Sequence, residues 1–451
     1  MNDRVSPVGA ANERVSLGAQ TSMGCPDVSY KETGACLAPQ RVLICTWDGW
    51  IGVSPSVLAS IAQLNKHQIL VDVLARQADL SFPAPPVQGP TSTIEVISSW
   101  RASPRLLRLP SPLRQLAGWI AETLDLLRMA TVARKLSHRN AFDVVIGIDT
   151  YGIAIASAVS KERRCALVYW SLELRFGSSI RNPVAKLLMI FERFLLGRVN
   201  CIVVQDSERG NLLAQEYSIT TDRMVFIPNS MPGLSNIVSS QYLHERLGLE
   251  PTQKIVLHAG MICDEVMSVE IAKSASTLSE EYTFVFHERR QRSSTEPYLA
   301  AVQQAGGPRL KLSLTPVPID DVDRIFASAY VGVVAYSDKY GANFSEIASA
   351  SGKLSYFLRN RIPVIVNDIP SLKRFVQETG CGVVVTDLAA IPSALAKISS
   401  NYPAFRVAAE RAFLHRLDFA GPFERAFSPF LRLQPTAMAR SAPNKSDGTV
   451  I

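Results

Sequence analysis

The sequence predicts an α/β protein built from two Rossmann-like domains, each a doubly wound parallel sheet. Its 451 residues are enough for two or three domains. From residue 41 onward, short runs rich in β-branched residues alternate with amphipathic segments, which is typical of parallel sheets covered by helices on both faces. This pattern restarts near residue 254, and it contains too many strand candidates for a single closed strand–helix barrel. Two successive sheets are therefore favoured.

The strand candidates share one character, a few consecutive apolar residues, many of them β-branched, beside a turn signal. In the first half they are 41–47, 69–74, 143–149, 166–171, 201–206 and 224–229, with a helix over 53–64 after the first. In the second half they are 254–260, 283–287, 310–314, 331–336, 363–368 and 382–387. Helical patterns lie near 265–278, 319–329, 348–359 and 370–379. Each half therefore has the alternation of a Rossmann-like domain.

Composition indicates where the domains begin and end. Residues 1–39 and 434–451 are rich in small residues and proline, and we expect both tails to be disordered. Pro, Gly, Asn and Ser punctuate 228–236, which is the predicted linker. The first domain is accordingly expected over 40–232 and the second over 233–433.

The net charge of +7, from 47 Lys and Arg against 40 Asp and Glu, is concentrated in one stretch. Between residues 101 and 139 eight basic side chains accompany only two acidic ones. Basic residues interleaved with Leu and Trp suit an anionic membrane surface, and the alternative is the solvated face of a long helix. A nucleic-acid partner is not expected, because the charge is local and moderate.

No feature of the sequence indicates export or membrane insertion. The N-terminus has no apolar core after a basic start, and charges interrupt every apolar stretch before the roughly 18–20 residues that a spanning helix needs. We expect a cytoplasmic protein, at most peripheral on the cytoplasmic face of a membrane. The seven cysteines are scattered without a C-x-x-C or Cys/His cluster, which argues against a zinc module or a disulfide framework.

Two predicted helix starts carry polar side chains that could serve a site. Ser351 and Gly352 precede a helix whose first turn contains Lys353, and a hydroxyl, free N–H groups and an ammonium are what a diphosphate requires. The alternative is a Ser N-cap followed by a surface lysine. Asp206 is expected to cap the second helix, with Arg209 reaching a cleft between the domains or a neighbouring carboxylate.

The order of several short motifs resembles a known family. These motifs are F-I-P-N-S (226–230), L-H-A-G (257–260), S-G-K-L (351–354), P-V-I (363–365) and G-C-G-V-V-V (380–385). Together they resemble the GT-B glycosyltransferases, most closely the group-one branch that transfers sugars from nucleotide donors in polysaccharide synthesis. The resemblance covers roughly residues 41–430 and is strongest from 201 to 387.

The resemblance assigns roles to particular residues. It implies that the first domain binds the acceptor and the second the nucleotide-sugar donor. On the donor side, the diphosphate would meet Gly260, Ser351, Gly352 and Lys353, and the loop at Val317 would hold the base. On the acceptor side, the lining residues would be Asp48, Gly49, Gly52 and Glu173. The two domains would face each other across a cleft, which would position the reacting groups and exclude water.

The sequence departs from the family at an acidic pair. Many relatives carry E-x7-E, whose second glutamate lies five residues before the glycine of G-x-P-V-I. Here Arg361 stands at that glycine, Tyr356 at the second glutamate and Ala348 at the first. Glu346, two residues earlier, is the candidate for the donor-hydroxyl role.

The basic pair that usually follows the donor glycine is also absent here. Arg289 and Arg290, after the strand at 283–287, could supply the missing positive charge to a departing diphosphate, and the alternative is that both are exposed loop arginines. His258 and His287 each end a strand. His287 joins Glu346 as a candidate catalytic residue, and the alternative for both histidines is a satisfied buried ring.

The expected function is a hexosyltransferase-type, metal-independent glycosyltransferase. It would move a sugar from a nucleoside-diphosphate sugar to a glycan or lipid-linked acceptor in surface or exopolysaccharide synthesis. No cofactor is expected beyond the nucleotide sugar as co-substrate. Two alternatives stay open: a nucleotide-sugar epimerase of the same architecture, and a non-catalytic glycosyltransferase-like binding protein.

Overall fold

Two parallel sheets, one of seven strands and one of six, organise the part of the chain that the structure describes. The computed structural model describes residues 39–47, 50–77, 81–83, 92–100, 108, 110–160, 165–177 and 180–433. Helices cover both faces of each sheet, which confirms the predicted α/β class with two Rossmann-like domains. Apart from Pro39, the two predicted tails lie outside the described residues.

The first sheet has the strand order β3-β2-β1-β4-β5-β6-β7. Its strands are β1 (Arg41–Thr46), β2 (Leu70–Gln77), β3 (Ser92–Ser98), β4 (Val144–Ile148), β5 (Ala166–Trp170), β6 (Cys201–Val204) and β7 (Met224–Phe226). Its helices are α1 (Pro55–Lys66), α2 (Ser111–Arg139), α3 (Asp149–Ser160), α4 (Pro183–Leu196) and α5 (Ser207–Tyr217). The strand order reverses between β1 and β4, the point where ligands of such sheets commonly bind.

The second sheet has the order β10-β9-β8-β11-β12-β13 and reverses between β8 and β11. Its strands are β8 (Lys254–Gly260), β9 (Tyr282–Glu288), β10 (Leu310–Ser313), β11 (Val331–Val334), β12 (Val364–Asn367) and β13 (Gly382–Val385). The helices in this half are α6 (Tyr242–Leu247), α7 (Ser268–Ala275), α8 (Pro297–Gly306), α9 (Ile319–Ala327), α10 (Ala342–Ser345), α11 (Gly352–Arg359), α12 (Pro370–Thr379), α13 (Ile391–Ser399) and α14 (Tyr402–Ala412). No helix or strand interrupts 227–241, the stretch that contains the predicted linker.

The last helix, α15 (Ala420–Phe427), returns to the first domain. Phe419 stacks on Trp170 of β5 with ring centroids 6.2 Å apart, and the tilted ring of Phe427 lies 6.3 Å from Trp170. The prediction placed this segment with the second domain over 233–433, because an amphipathic helix does not reveal in sequence which core it covers. The chain therefore crosses between the domains a second time.

Helix α3 lies directly on the first sheet because two glycines allow close approach. A Cβ on Gly152 would lie 2.5 Å from the carbonyl oxygen of Cys45, and one on Gly147 only 2.4 Å from the Cα of Ile153. Helices α2 and α4 both pack against α3 from outside. Among the described residues, none of the helices combines the length and apolar character that crossing a bilayer requires.

Candidate donor site

The strongest candidate site lies where the order of the second sheet reverses, since ligands of such sheets bind beyond the carboxyl ends of the strands at this point. Gly260 ends β8 with φ of +118°, a conformation that favours glycine. A Cβ at Gly260 would meet only Lys353 Cε, at 3.9 Å. Tyr336 follows β11 on the other side of the reversal. The structure thus brings together Gly260 and Lys353, two of the residues predicted to contact a diphosphate.

Lys353 is a buried cation without a hydrogen-bond partner. Its Nζ is enclosed and unpaired, and it lies 4.6 Å from the ring centroid of Tyr336. Burial, with a smaller contribution from the positive charge of Arg289, lowers the pKa of Lys353 to about 7. An unpaired ammonium inside a protein is costly, so this site favours an anion that would pair with it.

Ser351 caps the helix that carries Lys353, as the structural alternative predicted. Its hydroxyl accepts from Leu354 N at 3.3 Å and lies 2.7 Å from Tyr336 Oη. With that hydroxyl occupied, Lys353 and the free N–H groups of the first turn remain to meet an anion. Gly352 is needed for close packing, because its Cβ would lie 3.1 Å from Pro55 Cγ at the start of α1.

The starts of α1 and α11 are tied together by Asn229. Its Oδ1 accepts from the hydroxyl of Ser56 at 2.7 Å, and its Nδ2 donates to the carbonyl of Ala350 at 3.0 Å. Two helix N-termini, one from each domain, therefore converge beside Gly352. Each contributes partial positive charge to the same region.

Arg289 adds a second cation from the end of β9. Its guanidinium lies 5.5 Å from the ring centroid of Trp50 and 5.7 Å from that of Phe82, two first-domain rings that stack on each other at 5.3 Å. Its Nε has no hydrogen-bond partner, and Nη2 donates only to the sulfur of Met261. Trp50 and Phe82 were not predicted, because no sequence signal shows that loops of the first domain reach the second.

The nearest buried carboxylate, Glu288, is already committed. It accepts from the Nη1 of Arg292 at 3.1 Å and from the backbone N–H groups of Ile262 and Arg289 at 3.2 and 2.9 Å. Glu288 shares Arg292 with Glu296, which accepts from Arg292 Nη2 at 2.6 Å, and its remaining acceptor capacity is used by the two backbone N–H groups. Lys353 and Arg289, which we call the cation pair, keep capacity for an external anion.

A second cluster joins the domains near Glu173, a residue predicted to line the acceptor side. Arg209, fully buried, donates from Nη1 to the carbonyls of Asn343 and Glu346, both at 3.1 Å. Asn343 in turn donates to Glu173 Oε2 at 2.8 Å. Arg209 extends toward the second domain, as the prediction of a cleft position implied, and its partners there are carbonyl groups.

Asp149, which sequence reasoning did not assign to the site, holds the loop that carries Glu173. It has φ of +53° at the end of β4 and accepts from the backbone N–H groups of Leu172 and Glu173 at 2.7 and 3.1 Å. Burial raises the pKa of Asp149 to about 7. Its position at the β4 end, beside the reversal of the first sheet, is the signal that could have identified it.

The two candidate catalytic residues lie in other surroundings than predicted. The carboxylate of Glu346 accepts from Arg374 Nη2 at 3.1 Å and is not paired with the cation pair. The Nδ1 of His287 lies 2.9 Å from Ser313 Oγ on the neighbouring strand, and burial lowers the pKa of His287 to about 3. A ring with that pKa is too weak a base to take a proton near neutrality. The structure therefore supports the buried-histidine alternative for His287.

The remaining predicted positions are placed as follows. Val317 is buried in the core of the second domain, so only its backbone could meet a base. Gly52 lies buried in the turn that precedes α1, and Asp48 and Gly49 lie outside the described residues. Arg290 is half-buried beside Arg289. In the described part of the chain, no three His, Cys, Asp or Glu side chains form a group that could hold a metal ion.

The positions that depart from E-x7-E serve packing. Tyr356 is buried and stacks on Phe326 at 5.0 Å between ring centroids. Arg361 adopts φ of +61°, which a glycine would take without strain, and pairs with Glu410 at 2.9 Å. The positions where relatives carry the second glutamate and the glycine are therefore occupied here by a packed tyrosine and an ion-paired arginine.

Comparison with solved structures identifies the fold class as that of the GT-B glycosyltransferases. Sucrose-phosphate synthase from Thermosynechococcus elongatus is similar with a TM-score of 0.59 and 13% identity, covering 86% of this chain and 97% of the other. HepE of Anabaena in complex with UDP and glucose gives 0.60 and 12%, covering 86% and 99%. The α,α-trehalose-phosphate synthase (UDP-forming) of Burkholderia xenovorans, in complex with glucose-6-phosphate, gives 0.57 and 12%, covering 87% and 100%.

A family model matches part of the second domain. The model of the glucosyltransferase 3-like C-terminal domain matches residues 324–410, the stretch that contains Lys353. No curated relative matches the chain at the level of sequence. The shared fold and this match confirm the predicted resemblance to GT-B glycosyltransferases.

Proposed function

We propose that this protein is a glycosyltransferase that transfers a sugar from a nucleoside-diphosphate sugar to a glycan or lipid-linked acceptor. The observation that carries the proposal is the cation pair, in which Lys353 is buried and unpartnered at the start of α11 and Arg289 lies close enough to lower its pKa. A diphosphate would supply the anion that both side chains need. The similar HepE structures hold UDP or UDP-glucose.

The cation pair would act most strongly on the departing group. As the bond between the anomeric carbon and the diphosphate oxygen breaks, negative charge grows on the diphosphate, and Lys353, Arg289 and the two helix N-termini would stabilise it. This positive charge comes from the chain itself, which is the reason that we propose a metal-independent reaction. The oxygen of the acceptor hydroxyl forms the new bond to the anomeric carbon, and the hydroxyl proton passes to the departing diphosphate or to water.

The acceptor would bind on the first-domain side, near Glu173. The carboxylate of Glu173 accepts a hydrogen bond from Asn343, and the backbone carbonyl of Asn343 accepts one from Arg209. This network joins the proposed acceptor side to the second domain. A sugar acceptor agrees with the glucose-6-phosphate in the Burkholderia structure. Surface or exopolysaccharide synthesis and a cytoplasmic location stay predictions.

The test is sugar transfer by the full chain. A panel of nucleotide sugars is incubated with glycan and lipid-linked acceptors, and release of nucleoside diphosphate is measured with the glycosylated product. We expect transfer from one donor class and a loss of about 100-fold or more in Lys353→Ala. Lys373→Ala, a surface lysine paired with Asp368, is the matched control and should keep full turnover. Undiminished transfer in Lys353→Ala would exclude this donor site.

A second candidate function, a glycosyltransferase-like protein that binds without catalysis, is favoured by one observation. Tyr356 is buried at the position of the second acid, and Glu346, the candidate for the donor-hydroxyl role, is paired with Arg374. This candidate predicts that nucleotide sugars raise the unfolding temperature, while no acceptor in the panel yields product or free nucleoside diphosphate.

A further inference from the structure

Two neighbouring helices of the first domain expose rows of large apolar side chains. On α2 the row runs opposite the buried face and consists of Leu113, Leu116, Ile120, Leu124 and Leu127. On α4 it consists of Leu187, Ile190, Phe191 and Phe194. The spacings of three and four residues place each row on one helix face. Ile190 is 70% exposed and Leu187 69%, far more than a core-facing position allows.

The two rows belong to one surface. Helices α2 and α4 both lie over α3 and contact each other. The N-cap residue of α4, Asn182, donates from Nδ2 to Glu122 Oε1 on α2 at 2.9 Å. We call the exposed faces of α2 and α4 the α2–α4 surface.

Every acidic side chain of these two helices is turned inward. Glu122 accepts from Tyr151 Oη, Asp125 from Ser99 Oγ and Glu192 from Tyr217 Oη, and all three carboxylates are buried. The basic side chains face outward. On or beside the two helices the exposed basic residues are Arg114, Arg134, Lys135, Arg139, Arg181, Lys186, Arg193 and Arg198. The charge that α2 and α4 present to solvent is therefore entirely positive.

We propose that the α2–α4 surface docks this protein on an anionic lipid membrane. Aliphatic and aromatic side chains would enter the boundary between headgroups and acyl chains, while Lys and Arg reach the lipid phosphates. A symmetric pair of copies is disfavoured, because it would place this positive surface against itself. An anionic lipid surface satisfies the apolar rows and the positive charge together.

The proposal goes beyond the charge pattern of 101–139. In that segment only residues 108 and 110–139 are described, and they supply the α2 half of the surface. Helix α4 lies outside it and contributes the most exposed apolar residues. Docking does not depend on the proposed sugar transfer, so it is tested without a donor or acceptor.

The experiment measures co-sedimentation of the full chain with vesicles. Vesicles of phosphatidylcholine with about one third phosphatidylglycerol are compared with vesicles of phosphatidylcholine alone. We expect binding to the anionic vesicles only, weakened by salt. Hydrogen exchange with vesicles present should slow in α2 and α4.

Variants of α4 separate the two contributions. In the apolar variant, Leu187, Ile190 and Phe194 become Ser, and at least a tenfold loss of partitioning is expected. The charge variant combines Lys186→Gln with Arg193→Gln, and each substitution is expected to lower partitioning about fivefold. Unchanged binding by either variant would overturn the proposal.

Control variants change exposed residues of the second domain, which lies away from the α2–α4 surface. Val407→Ser with Leu414→Ser controls for apolar loss, since these side chains are 59% and 48% exposed. Lys397→Gln with Arg411→Gln controls for charge, and both pairs should bind as the unaltered protein does. If an α4 variant does not fold, the test is hydrogen exchange of the unaltered chain with vesicles present. Slower exchange in other segments but not in α2 and α4 would overturn the proposal. Three other results would also overturn it: equal binding to both vesicle types, binding to neither, or a dimer in solution that the α4 variants convert to monomers.

Discussion

Replacing Lys353 with methionine is expected to stabilise the empty protein while abolishing its binding of nucleoside diphosphates. Burial lowers the pKa of Lys353 from 10.5 to about 7, which corresponds to about 5 kcal/mol against the charged form. Between these two values the unfolded chain binds more protons than the folded one, so stability rises with pH. The cost is present in full below pH 7 and disappears near pH 10.5. The gain in unfolding free energy from Lys353→Met should therefore reach up to about 5 kcal/mol below pH 7.

The assay is denaturant unfolding at pH 6 and pH 9, with and without UDP. At pH 9 the gain should fall to about 2 kcal/mol, because most of the lysine is already neutral in the folded protein. UDP should stabilise the unaltered protein by mass action and leave the variant unaffected. Lys373→Met, at an exposed position, should change stability by less than about 0.5 kcal/mol and keep the UDP effect. A pH-independent loss of stability in Lys353→Met, or an intact UDP effect, would refute the reasoning.

Three further outcomes are expected. Arg289→Gln should weaken UDP binding at least tenfold in calorimetry, because charge-assisted hydrogen bonds to the diphosphate are lost, and an unaltered affinity would remove Arg289 from the site. Arg209→Met should lower the free energy of unfolding by about 3 kcal/mol in urea, with little recovery in Arg209→Lys, since the carbonyl groups between the domains lose their donor. Normal stability would contradict that network. His287→Gln should keep turnover near neutrality and reduce the loss of stability in acid. The folded pKa of about 3 lies below the unfolded value of 6.5, so the histidine lowers the free energy of unfolding as the pH falls between these values. At pH 5 the variant should avoid a loss of about 2 kcal/mol. A large loss of turnover at pH 7 would instead restore the catalytic role of His287.

The strands could be predicted from sequence wherever they are buried on both faces. All six strands of the second sheet were predicted. Most contain β-branched runs such as Val331–Val334, and the edge strand β10 was indicated by its alternating leucines. The missing strand of the first sheet, β3, lies at its edge. Its polar residues Thr93, Glu95 and Ser98 interrupt the apolar run that marks a central strand.

The chemistry at the start of α11 could be predicted because its residues are adjacent in sequence. Ser351, Gly352 and Lys353 form one turn of chain at a helix start, and that local chemistry is visible without a fold. Contacts between distant loops were not predictable. The approach of Arg289 to Trp50, and of Arg209 to Asn343, depends on how the two domains meet, and no short-range pattern encodes that.

The most direct measurement is calorimetric titration of a nucleoside-diphosphate sugar at pH 8 in buffers that differ in ionisation enthalpy. With a pKa of about 7, Lys353 is mostly neutral in the empty site, and a bound diphosphate would restore its charge. The unaltered protein should therefore take up nearly one proton for each nucleotide sugar bound, and Lys353→Met should take up none. Binding without proton uptake, or the same uptake by the variant, would contradict a donor site built on this buried cation.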